Sequence, residues 1–148
     1  WMTDVTQRRI RHHDELGKRL FWFMHGSDAL VGKLYATCTV LLASSQGEGF
    51  GLPLVEAAQH ALPILARDMP VFREVAGTHA TYFSGLDAAS LASAVREWLA
   101  AHNRGDTRAV AGMQWVTWSE SAAQLAHLML DSDSAPERTR STQGAEQP

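Results

Sequence analysis

Four short apolar runs separated by stretches with helical spacing constrain this chain more than any other feature. They cover residues 20–24, 39–43, 62–66 and 80–83, and each stops at polar or turn-forming residues. A continuous run of this length is the pattern of a strand buried on both faces, whereas a strand with one wet face alternates. The intervening segments 28–37, 53–61 and 70–76 have room for two or three helical turns each. Segment 87–102 sets Leu91, Val95, Trp98 and Leu99 at the i, i+4, i+7, i+8 spacing of an amphipathic helix. A last helix is predicted over 119–130, with Ala122, Leu125, Leu128 and Met129 on one side. Strands alternating with helices imply a parallel sheet covered by helices, so the predicted class is α/β.

Composition narrows the alternatives. The chain has 148 residues, 45% of them apolar, which suits one domain with a real core. Residues 131–148 hold no Leu, Ile, Val, Met or aromatic side chain, so they are predicted to be a disordered polar tail behind a domain over 1–130. A pI near 6.2 argues against a nucleic-acid partner. The single cysteine, Cys38, excludes an internal disulfide and a cysteine-cluster zinc site, and its apolar context predicts a buried packing residue. Of seven histidines no two stand at i, i+4, and no metal site is expected. No apolar run approaches the roughly 18–20 residues of a spanning helix, and no signal segment opens the chain. The expectation is a soluble protein of a reducing compartment. The first residue is Trp1, which hints at a fragment.

One segment carries chemistry. Ser44 to Glu56 leaves a predicted strand through Gly47, Gly49 and Gly51 and enters a predicted helix at Pro53. In open α/β sheets, ligands bind at the carboxyl ends of strands. The glycines are expected to allow a sharp turn and close approach to a ligand, and Pro53 fits the first helical position. Free amides over residues 51–54 and the positive helix end would favour an anion such as phosphate. Glu48 in the loop and Glu56 one turn into the helix are then placed to edge one pocket, where a carboxylate suits a pair of sugar hydroxyls. Each also has a plain explanation: Glu56 as a first-turn acid complementing the helix dipole, Glu48 as a solvated loop acid.

The pattern Leu34-Tyr35-Ala36, then Ser45-x-x-Glu48-Gly49-Phe50-Gly51-Leu52-Pro53-x-x-Glu56-Ala57, then Leu62-Pro63-Ile64-Leu65-Ala66, resembles the C-terminal half of group 1, or family 4, retaining glycosyltransferases. The likeness runs on through Pro70-Val71-Phe72-Arg73-Glu74-Val75 and Tyr82-Phe83, about residues 20–100. Its hallmark is two glutamates with seven residues between them, met by Glu48 and Glu56. The resemblance implies a Rossmann-like sheet within an incomplete C-terminal, donor-binding domain of the two-domain GT-B fold. It implies that Glu48 holds donor-sugar hydroxyls at the reacting carbon and that Glu56 accepts from the ribose. Ser45 and the backbone of Gly49, Phe50, Gly51 and Leu52 would shape the sugar and diphosphate site, and the strand end at Phe23, Met24 and His25 would lie along the base. No metal or cofactor is implied. The likeness is strongest to bacterial mannosyl- or rhamnosyltransferases of surface polysaccharides. That implies GDP-mannose as the favoured donor, a glycan or lipid-linked glycan acceptor, and work in the cytoplasm at the inner face of the membrane.

The departures are as specific. The family carries an Arg and a Lys after the first strand of this domain; residues 1–19 hold no match, and Arg8, Arg9, Arg11, Lys18 and Arg19 fall in a helix-like segment. The resemblance further implies an acceptor-binding N-terminal domain that is expected to lie outside these 148 residues, and Ala61 stands where glycine is common. The isolated chain is therefore expected to lack turnover. The rival reading is a non-catalytic truncated module that binds nucleotide sugars or another protein.

Overall fold

The structure, a computed structural model, describes residues 4–130. The predicted tail over 131–148 and the start at Trp1 lie outside those residues. Six helices and three strands follow in the order α1 (Asp4–Arg11), α2 (Asp28–Thr37), β1 (Leu41–Ala43), α3 (Leu52–Gln59), β2 (Ile64–Arg67), α4 (Pro70–Ala76), β3 (Thr81–Phe83), α5 (Ala88–Asn103) and α6 (Trp118–Leu130). The strands form one parallel sheet in the order β1-β2-β3, in the registers Leu41↔Ile64 and Leu65↔Thr81. This is the predicted α/β class.

The central strand shows why an unbroken apolar run reads as it does. All four residues of β2 are buried, because both faces are covered. Ile64 and Ala66 join Ala43, Leu54, Ala57, Phe72 and Ala76 in the larger core, while Leu65 joins Phe83 and Trp98 of α5 in the smaller one. Helix starts follow their side chains. Ser27 caps α2 by accepting from the Leu30 amide at 3.3 Å, and Asp87 caps α5 by accepting from the Ser90 amide at 2.9 Å. One compact unit ends at Met113 and a second begins at Gln114. In the second, α6 opens on a capping box: the Thr117 hydroxyl accepts from the Glu120 amide at 3.2 Å, and the Glu120 carboxylate accepts from the Thr117 amide at 2.8 Å. None of the α6 residues is buried, and Trp118 is exposed, whereas Trp98 of α5 is a core residue. No helix among the described residues is long and apolar enough to cross a membrane.

Two expectations are corrected. Residues 20–24 form no strand; a lone Leu16↔Leu20 bridge is their only ladder contact, and Phe21, Phe23 and Met24 are exposed. An apolar run needs a neighbour to become a strand. In a doubly wound sheet of order 3-2-1-4-5-6 the third and fourth strands are not adjacent, so a run preceding β1 in sequence need not pair with it. Cys38 is exposed, not buried: it is the C-cap of α2, where its amide donates to the Leu34 carbonyl and its backbone has already turned extended.

Ala61 has φ +54°, and is the one residue other than glycine with positive φ among those described. The Leu62 amide donates to the Ala57 carbonyl at 2.9 Å and the Ala61 amide to the Ala58 carbonyl at 3.0 Å. These two bonds make a Schellman motif ending α3, with Ala61 at the left-handed position that glycine usually fills. Left-handed backbone costs a Cβ-bearing residue about 1–2 kcal/mol, against about 0.4–1 kcal/mol of extra chain entropy for glycine. Ala61 is exposed, so no packing is lost. Ala61→Gly is expected to stabilise the chain by about 0.5–1 kcal/mol, read from urea midpoints at unchanged slope.

Candidate functional site

The chemistry-bearing segment leaves β1 at Ser44, loops to Gly51 and continues as α3. Its root is fastened by Arg67, the last residue of the central strand, which is only 7% exposed. Arg67 Nε donates to the carbonyls of Ser44 at 3.2 Å and Ser45 at 3.0 Å, and Nη2 donates to Ser44 at 3.0 Å. Nη1 donates to the Gly85 carbonyl just beyond β3. The guanidinium also lies 5.0 Å from the centre of the Phe83 ring. Sequence reasoning passed over Arg67, although its signal was present: a lone cation closing an apolar run that fits a doubly buried strand.

The three loop glycines are not equivalent. Gly51 has φ +89°, and a Cβ there would sit 3.1 Å from Phe72 Cδ1, so both backbone and space demand glycine. At Gly47 and Gly49 φ is not positive, and a Cβ would meet nothing. The turn is therefore made by Gly51 alone, and the other two leave open room. Helix α3 starts at Leu52, so Pro53 is its second residue. The Leu54 amide already donates to the Gly51 carbonyl at 2.9 Å, and Pro53 has none. The predicted row of free amides over 51–54 reduces to those of Gly51 and Leu52.

The two glutamates are held differently. Glu48 is exposed, and its Oε1 accepts from the Gly49 amide at 3.2 Å. Glu56 is exposed on α3, and its Oε2 accepts from the Tyr35 hydroxyl of α2 at 2.8 Å. Tyr35 itself lies flat on the His60 ring, with centres 5.7 Å apart and planes 9° apart. Partial burial, then the bond and charge of Glu56, push the Tyr35 hydroxyl well above the ordinary tyrosine range. It therefore stays a donor at any working pH, pins one carboxylate oxygen, and leaves Oε1 without a protein partner among the described residues. Tyr35 was part of the sequence pattern, but its role as a brace for Glu56 needs the tertiary contact.

Phe50 and Leu52 are exposed beside this loop, as is Ser45, whose carbonyl is held by Arg67. Met24 and His25 lie in an exposed bend rather than at a strand end. The Met24 sulfur stands 4.0 Å from Arg11 Nη2 of α1, and no hydrogen bond among the described residues joins Met24 or His25 to the loop. At the neighbouring strand exit Asp68 pairs with Arg73, Nη2 to Oδ2 at 2.8 Å, which holds the Asp68 carboxyl below the usual range. A cavity of about 560 Å³ opens elsewhere, between β3 and α5, lined by Phe83, Glu97 and Trp98 among others and by none of the expected site residues.

The arrangement is a strand, a glycine-turned loop and a helix N-terminus at the carboxyl rim of a parallel sheet, with two carboxylates presented to solvent. Such a rim suits a ligand that is anionic at one end and hydroxyl-rich at the other. Residues 5–112 match the family model described as glycosyl transferases group 1. The chain is 47% identical over 125 residues to a serotype-specific mannosyltransferase, WbdA, of Escherichia coli, covering 84% of this chain and 15% of that protein. It is 38% identical over 63 residues to the O-antigen chain mannosyltransferase RfbU of Salmonella typhimurium, covering 43% of this chain and 18% of that protein. The chain thus spans about 15% of the length of the WbdA relatives it matches.

Proposed function

The chain belongs to the group 1 glycosyl transferases, and from that premise we propose that residues 44–59 form the donor site of a retaining mannosyltransferase that uses a nucleotide sugar. GDP-mannose is the favoured donor and a surface glycan or lipid-linked glycan the acceptor. The names of the WbdA and RfbU relatives support mannose and polysaccharide. The observation that carries the reading is the braced Glu56: an exposed carboxylate with one oxygen fixed by Tyr35 and the other open, one turn above the Gly51 and Leu52 amides.

The chemistry follows from charge. Cleaving a glycosyl phosphate leaves an oxocarbenium-like sugar and a diphosphate whose negative charge grows. Fixed donors aimed at growing charge are worth about 3–4 kcal/mol each. The amides of Gly51 and Leu52 and the positive end of α3 supply part of this with no reorganisation. Glu48 then orients the sugar hydroxyls beside the reacting carbon, Glu56 takes the ribose, and Ser45, Gly49 and Phe50 shape the wall between them. Met24 and His25, in their exposed bend, contribute to the base side. The N-terminal domain contributes the acceptor, the work is done in the cytoplasm at the inner membrane face, and the isolated chain binds without turning over.

A thermal-melt panel against GDP-mannose, GDP, UDP-glucose and dTDP-rhamnose tests this. Donor at 100 times its Kd adds about 2.7 kcal/mol, a shift of several degrees. The shift is expected with GDP-mannose, reduced in Tyr35→Phe and lost in Glu56→Ala. A clean melt that ignores every nucleotide sugar, or one indifferent to Glu56→Ala, replaces this reading with that of a non-catalytic module.

A further inference from the structure

Arg67 is a buried cation with no acid paired to it among the described residues. The ion pairs among the described residues are Glu15–Arg19, Asp68–Arg73 and Arg104–Asp106, and none includes it. Burial of an unpaired charge is unfavourable and is tolerated only where hydrogen bonds replace water. Here those bonds go to three main-chain carbonyls of two different strand exits, Ser44 and Ser45 after β1 and Gly85 after β3. The neighbouring Arg73 shows the contrast: it is exposed and neutralised by Asp68. Arginine suits the Arg67 position because its planar fork addresses several acceptors at once, which an ammonium on a flexible stem does not.

The loop needs such a fastening. Between Ser45 and Gly51 its residues are exposed, and the hydrogen bond within it is the weak one from the Gly49 amide to the side chain of Glu48. Nothing along that stretch fixes where Glu48 is presented. Its two ends do: Gly51 against Phe72 at the helix side, and Ser44 with Ser45 against Arg67 at the strand side. We infer that Arg67 is a positioning residue for sugar recognition, setting the root of the loop so that Glu48 is offered in one arrangement. The inference rests on the donor-site reading above. Because the clamp acts on the loop root and not on α3, its loss falls on contacts to the sugar more than on contacts to the nucleotide.

The test uses the 148-residue chain, with Arg67→Met and Arg67→Lys compared with wild type. Backbone ¹⁵N relaxation without ligand is expected to give order parameters near about 0.85 over residues 44–51, falling below about 0.6 in both variants while β2, α3 and α4 keep theirs. With ligand, Arg67→Met is expected to weaken GDP-mannose at least about tenfold and GDP less than about twofold, and Arg67→Lys to recover part of the difference. A folded variant with wild-type loop order overturns the inference. So does equal weakening of both ligands, or failure of both variants to fold, since Arg67 would then be a structural residue only. If the loop loosens while wild type binds neither ligand, the donor-site reading is what fails, and the clamp stands.

Discussion

Phe72→Ala is expected to destabilise this chain by about 3–5 kcal/mol, the range for removing a buried aromatic side chain. Phe72 is 1% exposed and sits in the larger core with Leu54, Ile64 and Ala66. Domains of this size hold about 5–15 kcal/mol in total, so roughly a fifth of the margin or more goes at once. The effect is not confined to stability. The ring edge of Phe72 lies 3.1 Å from where a Cβ at Gly51 would sit, so removing it opens a cavity under the turn that starts α3. Urea unfolding of the two proteins measures the first consequence, and the GDP-mannose melt shift measures the second. A loss below about 1 kcal/mol would mean the core had collapsed around the gap or was not packed as described.

Gly85→Ala is the second large effect, expected at about 2–4 kcal/mol by overpacking and backbone strain together. Gly85 has φ +99°, and a Cβ there would lie 2.5 Å from both Cβ and Oγ of Ser90. Ser90 cannot yield freely, because its hydroxyl donates to Asp87 Oδ2 at 2.6 Å and its amide to Asp87 Oδ1 at 2.9 Å. Substitution therefore strains the backbone, disturbs the cap of α5 and shifts a carbonyl that Arg67 holds. Acid gives an independent check. The Ser90 hydroxyl, then its amide, hold the Asp87 carboxyl below the ordinary aspartate value of about 3.9. A depressed folded value means that the cap stabilises above that pH and is lost as pH falls through it. The gap between wild type and Gly85→Ala should accordingly narrow below about pH 4. A gap that is flat with pH would separate the overpacking from the cap.

Much of the fold was legible because local physics decided it. Doubly buried strands leave unbroken apolar runs, so 39–43, 62–66 and 80–83 were found, and α2 and α4 run over the residues predicted. The run at 20–24 has the same pattern but no strand beside it, and neighbours are a property of topology that periodicity does not carry. The glycine loop was placed between strand and helix from sequence, yet which glycine turns the chain depended on Phe72, a residue 21 positions on. Cys38 was misjudged because apolar neighbours in sequence do not bury a residue that leaves a helix end. Glu48 and Glu56 drew attention by spacing and resemblance, whereas Tyr35 and Arg67, which hold Glu56 and the loop, act through contacts 21 to 23 positions away in the chain. Exposed carboxylates at a loop and a helix start are thus more readily seen in sequence than the side chains that hold them.

The left-handed alanine that ends α3 has a consequence for laboratory evolution. Every alanine codon becomes a glycine codon by one change, at the middle base. A first-round random library of this chain, screened for heat resistance alone, should therefore return Ala61→Gly repeatedly. Gains that need two base changes would be almost absent from the same pool.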